Sequence, residues 1–106
     1  MDTAHQTSDR QSLLLTQAAI QSLVLSPALV DAVVSTLDHW DAVAPKASKP
    51  LRDEWREIIA RREWQRALDP GERGRQLRQA SPLGKAIDPA KRLAIIRLCK
   101  GRNSNT

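Results

Sequence analysis

The sequence predicts an all-α protein, a small single-domain bundle of about five helices with the last two short. Three observations carry that expectation. Leu, Ala, Arg, Gln and Glu dominate the composition, and all are good helix formers. Phe and Tyr are absent, and Val and Ile never alternate with polar residues as a half-buried strand requires. Leu51, Trp55, Ile58 and Ile59 recur at i, i+4, i+7 and i+8, a single stripe on a helix. At 106 residues the chain suits one domain, and it buries about two thirds of its unfolded surface without disulfides or a structural metal.

Residues 1–8 are expected to be a flexible N-terminus, and 9–100 a single helical domain. Ser8-Asp9-Arg10-Gln11 has the form of a capping box with Gln11 at N3, opening a first helix that reaches about Leu25. Leu13, Leu14, Leu15, Ala18, Ala19, Ile20, Leu23, Val24 and Leu25 cover most of its circumference. A helix apolar nearly all round is central or is covered by a partner, so a homodimer through the N-terminal helices is one expectation. Ser26 and Pro27 read as N-cap and N1 of a second helix, on which Leu29, Val30, Val33, Val34, Leu37, Trp40 and Ala44 form a broad stripe.

Pro45-Lys46-Ala47-Ser48-Lys49-Pro50 is a stiff connector, and a third helix begins near Ser48 or Pro50. Asp53 and Glu57, and separately Arg52 and Arg56, are expected on its wet faces, with Asp53, Glu54 and Glu57 in i,i+4 surface pairs. Trp64 points away from the Leu51–Ile58 stripe. The helix therefore bends near Arg61–Glu63 or presents a second apolar face with Ala67 and Leu68.

A short phrase then occurs twice, as Leu68-Asp69-Pro70-Gly71-Glu72-Arg73 and as Ile87-Asp88-Pro89-Ala90-Lys91-Arg92. Each reads as capping chemistry, with Asp at N-cap and Pro at N1 of a new helix, and Ser81-Pro82-Leu83-Gly84 as the turn between them. The fifth helix is expected to run to about Lys100, where Gly101 ends it, leaving 101–106 as a flexible tail.

Charge divides the domain. Residues 1–45 hold one base, Arg10, against five acids, Asp2, Asp9, Asp31, Asp38 and Asp41, whereas residues 46–106 hold sixteen bases against seven acids. An acidic apolar half (9–44) joined to a basic half (46–100) points to a polyanion partner for one end. The bases form three groups: Arg61, Arg62 and Arg66; Arg73, Arg75 and Arg78; and Lys91, Arg92, Arg97, Lys100 and Arg102. Arginine outnumbers lysine, which suits bidentate contact with phosphate or carboxylate. Trp64 lies inside the first group and could stack on a base, although large aromatics more often fill cores. If the last two helices pack side by side, their outer faces merge these groups into one patch.

Catalysis is not expected. His39 sits beside Asp38 on a helix, where adjacent side chains diverge. His5, His39 and Cys99 lack metal-ligand spacing, Cys99 reads as inert core, and no Gly-rich phosphate loop or catalytic elbow occurs. No cofactor is implied. The uncharged stretch from Gln11 to Val30 is too polar to span a membrane, the N-terminus lacks a basic export region, and a lone Cys99 favours a reducing, cytoplasmic setting. The leading expectation is a small regulatory protein binding nucleic acid, DNA ahead of RNA, through its basic half. The alternative is a protein-interaction module of the antitoxin or small-inhibitor type, whose arginines bind an acidic protein surface.

Overall fold

A computed structural model describes the backbone of residues 3–104 and the side chains of residues 9–100. The fold is all-α, with five helices and no strand among the described residues. They are α1 (Thr3–Leu25), α2 (Ala28–Val43), α3 (Lys49–Arg61), α4 (Glu72–Gln79) and α5 (Pro89–Ser104). Single 3-10 turns at Lys46–Ser48, Trp64–Leu68 and Leu83–Ala86 connect them. Of the two last helices only α4, with eight residues, is short; α5 has sixteen.

α1 is the axis of the bundle. It touches α2, α4, α5 and the turns at Trp64–Leu68 and Leu83–Ala86, so most of its apolar girth is covered from within the chain. Val24 and Leu25, at its last turn, stay exposed. The helix starts at Thr3 rather than at Ser8, so Ser8 lies inside it and is not its cap. α2 follows after a two-residue break. Ser26 does not cap it through its side chain; the N–H groups of Leu29 and Val30 donate instead to the carbonyls of Ser26 and Pro27, at 2.9 and 3.0 Å.

The core draws on every element except α5 and the first 3-10 turn. Ala19 and Leu23 of α1 meet Val30, Val33 and Leu37 of α2, Trp55, Ile58 and Ile59 of α3, Ala67, Leu77 of α4, and Leu83 and Ala86. The periodic stripe of α3 thus faces inward, with Leu51 at its half-buried edge. Trp55 is fully enclosed and donates its indole Nε1–H to the Leu77 carbonyl at 2.9 Å, near the end of α4. Left unpaired at that depth, the donor would cost about 1–3 kcal/mol.

α3 ends where Trp64 breaks the stripe. Arg62 is left-handed (φ 58°, ψ 36°), its N–H reaches Ile59 O, and the Glu63 N–H reaches Ile58 O at 2.9 Å. These two bonds are those of a Schellman motif, which usually places glycine at this position. The break is therefore a stop rather than a bend, and the reversal lays Trp64 half-buried against the core.

The repeated phrase has two outcomes. At Asp88-Pro89 the capping expectation holds: Asp88 Oδ2 accepts the Lys91 N–H at 3.2 Å, and Asp88 O accepts the Arg92 N–H at 2.9 Å. At Asp69-Pro70 it does not. α4 begins at Glu72 with Gly71 as the extended cap residue, and no side chain caps it. A Cβ built at Gly74 would lie 1.9 Å from the Asp69 carbonyl oxygen, so the turn rides directly over the helix backbone.

Two predictions follow from these positions. Gly74→Ala should cost about 2–3 kcal/mol or more in chemical denaturation, because backbone cannot move aside as a side chain does. Gly71→Ala, whose Cβ would meet only the Asp69 carboxylate at 3.1 Å, should cost about 1 kcal/mol or less. At the left-handed position, Arg62→Gly should raise stability by roughly 0.5–1 kcal/mol and Arg62→Val should lower it by a similar amount or more. The reverse order of thermal midpoints would show that the Arg62 side chain matters more than its backbone.

Candidate functional site

The structure disperses the three cation groups. α4 and α5 do not pack against each other; each lies separately on α1, so the expected side-by-side patch does not form. Within the first two groups, most guanidinium groups are already occupied by the protein itself.

Arg66 bridges three carboxylates, at 2.9 Å to Glu54, 2.6 Å to Glu57 and 2.9 Å to Glu63. Arg73 shares Glu54, donating from Nε at 2.7 Å, and also reaches Gln76 Oε1 at 2.9 Å. Arg75 pairs with Asp9 of α1 at 3.0 Å. Arg62 donates to the Ile59 carbonyl at the end of its own helix. Arg78 is buried, its Nη1 donating to the carbonyls of Ala67 at 2.9 Å and Asp69 at 2.7 Å. Burial lowers its pKa, against the pull of Asp9 and Asp69. Arg66, Arg73, Arg75 and Arg78 are thus structural ties, and Trp64 is a half-buried core neighbour. Of these two groups, only Arg61 and Arg62 are exposed without an ion pair among the described residues, and Arg62 is engaged by the Ile59 carbonyl.

A second network joins α2 to α3. Arg52, expected on a wet face, is buried at 4% exposure. Its Nε donates to Asp41 at 2.7 Å and its Nη1 to Ser48 Oγ and the Pro45 carbonyl. Arg56 reaches Asp38 at 2.8 Å and Asp41 at 2.6 Å. The hydrogen bonds to Asp41, then Asp38, raise the pKa of Arg56, as those to Glu57, Glu63 and Glu54 raise that of Arg66. Of the anticipated i,i+4 pairs, Lys49–Asp53 forms at 2.9 Å, while Glu54 and Glu57 turn instead to arginines distant in sequence.

α5 is different. Its span carries Lys91, Arg92, Arg97, Lys100 and Arg102 and no acid. Lys91, Arg92 and Arg97 are exposed and form no ion pair among the described residues; the Lys100 side chain is also exposed, and that of Arg102 lies outside the described residues. Ile95 and Ile96 are half-buried and Cys99 is buried, which defines the face turned to α1. The opposite face mixes cations with the exposed leucines Leu93 and Leu98. Lys85, on the turn just before α5, is likewise exposed and unpaired among the described residues, and nothing in the sequence pattern singled it out.

His39 is exposed on α2, and no group of three or more His, Cys, Asp or Glu side chains among the described residues could hold a metal ion. No described helix is long and apolar enough to cross a membrane. The chain matches no protein-family model, no curated protein and no solved structure.

The ion-pair networks make stability depend on pH. Asp41 is held below its ordinary 3.8 by hydrogen bonds from Arg52 and Arg56. For Glu54, burial pushes upward but is outweighed by Arg73 and Arg66, which take it below its ordinary 4.5. Between folded and ordinary values the unfolded chain binds more protons, so stability rises with pH there. The contribution is complete above the ordinary values and is lost as pH falls through the folded ones. Tm should be level above about pH 6 and fall below about pH 4.5. The Asp41→Asn, Glu54→Gln double variant should have a lower neutral Tm and a shallower acid fall; parallel curves would remove the networks from the stability of the fold.

Proposed function

We propose that the protein is a non-enzymatic regulator that binds nucleic acid, DNA ahead of RNA, through the outer face of α5. One observation supports this above others. Asp38, Asp41, Glu54 and Glu57 are spent on arginines of α3, α4 and the turn between them, whereas the span of α5 carries cations and no acid. Lys91 and Arg97, with Lys85 on the preceding turn, offer phosphate contacts, and such contacts confer affinity without sequence preference. Arg61 sits on α3, which does not touch α5, and is outside this surface.

A second reading has an observation of its own. Leu93 at 48% and Leu98 at 55% exposure lie among the cations, an apolar-and-basic mixture that also suits an acidic protein surface with a greasy centre.

With three phosphates neutralised, log affinity for duplex DNA should fall against log salt with a slope of about −2.7, and Arg97→Ala should make it shallower by about 0.9. Arg66→Ala should lower Tm and leave the slope alone. Leu98→Ser should leave DNA binding intact while abolishing capture of an acidic protein partner. Absence of DNA and RNA binding at about 50 mM salt would overturn the nucleic-acid reading, since phosphate contacts are strongest there.

A further inference from the structure

Between α1 and the chain running from the end of α4 into α5 lies an open cleft of about 240 Å³. Leu15 of α1, Leu83 and Ile87 supply its apolar lining, Ser12 and Ser81 supply hydroxyls, and Arg78 and Arg92 supply two guanidinium groups. No Asp or Glu lines it. We propose that this cleft binds a small oxyanion, a phosphate or carboxylate head group held between Arg78 and Arg92, with any apolar remainder lying on Leu15, Leu83 and Ile87.

The state of Arg78 points to an external acceptor. The side chain is 6% exposed, and its Nη1 is committed to the Ala67 and Asp69 carbonyls. Its Nε has no partner at all, the one buried side-chain nitrogen or oxygen in that condition among the described residues. The other buried arginine, Arg52, makes the contrast: its Nε is taken by Asp41. A buried donor left unmade is costly, and the Nε edge of a guanidinium is one that oxyanions take in bidentate fashion. Neither carboxylate that acts on Arg78, Asp9 or Asp69, forms an ion pair with it, and Asp9 is already paired with Arg75 at 3.0 Å.

Arg92 completes the pair from the opposite side. It is exposed, without an ion pair among the described residues, and its Nη2 lies 3.6 Å from where a Cβ on Gly84 would stand. Nothing else lies within 4 Å of that point, and Gly84 does not have positive φ, so a side chain fits there. The cleft is below the size of most drug-like pockets, which suits a head group or a small acid. The site does not depend on the DNA-binding reading, although a backbone phosphate is one possible source of the oxyanion and a free small anion is the other.

The test is titration of the whole protein with inorganic phosphate and, separately, butyrate, at constant ionic strength in chloride, following backbone amide shifts. Saturable shifts at Ser81 and Gly84 with either probe are expected. Arg92→Gln should weaken that binding about tenfold, the worth of one charge-assisted hydrogen bond, with Tm unchanged. Gly84→Asp, which sets a carboxylate against Arg92, should abolish it. Competition by duplex DNA would assign the head group to a nucleic-acid phosphate, and its absence to a free anion; both support the site. Arg97→Ala should leave it untouched, so loss of DNA binding and loss of the cleft are separable. No saturable shift with either probe up to about 50 mM, where millimolar affinity saturates, would overturn the proposal, as would binding indifferent to both substitutions.

Discussion

The bundle depends on how α4 is seated. Eight residues cannot hold a helix in water, because nucleation costs more than so few hydrogen bonds return. Besides its packing on α1 and the ion pairs of Arg73 and Arg75, three contacts to backbone seat it here. Gly74 lets the Asp69 carbonyl settle against the helix backbone, the Arg78 side chain fastens the Ala67 and Asp69 carbonyls from within, and Trp55 of α3 takes the Leu77 carbonyl. Remove the close approach at Gly74 and the other two lose their geometry together. Leu77, which fills the core between α3 and the turns, would be misplaced with them.

That arrangement explains where the positive charge went. A chain with seventeen bases and twelve acids has too few carboxylates to neutralise every base. The fold concentrates those it has: Glu54 serves both Arg66 and Arg73, and Asp41 serves both Arg52 and Arg56. Shared carboxylates tie elements far apart in sequence, as α2 to α3 and α3 to α4. Among the described residues, cations without an ion pair remain at Arg10, Lys46, Arg61, Arg62 and Lys85 as well as at Lys91, Arg92 and Arg97 of α5, the one helix whose cations share their span with no acid. Partition of charge between structure and surface is therefore a result of pairing in space, not of the acidic and basic halves of the chain.

Helix number and the main core stripe were legible because they rest on local periodicity: Leu51, Trp55, Ile58 and Ile59 all face inward. The cap at Asp88-Pro89 was legible for the same reason. Its twin at Asp69-Pro70 was not: there Gly71 takes the cap position and the turn packs on Gly74, a contact that no capping pattern encodes. Arg52 and Arg78 misled in a different way. Their residue type places them on a wet surface, and only the partners that folding brings up, Asp41 for one and two backbone carbonyls for the other, make burial tolerable. Ser12, Ser81 and Gly84, from α1, the loop after α4 and the turn before α5, meet in one cleft with no trace of that meeting in their spacing.

The attachment of α5 has a dynamic consequence. Among the helices it packs on α1 alone, and none of its residues belongs to the central cluster. Its detachment would expose Ile95, Ile96 and Cys99 while removing no member of the central cluster, which makes it the segment best placed to open without unfolding the rest. A ligand that bridges α5 to the body of the protein would close that opening, converting occupancy into order at the C-terminal end.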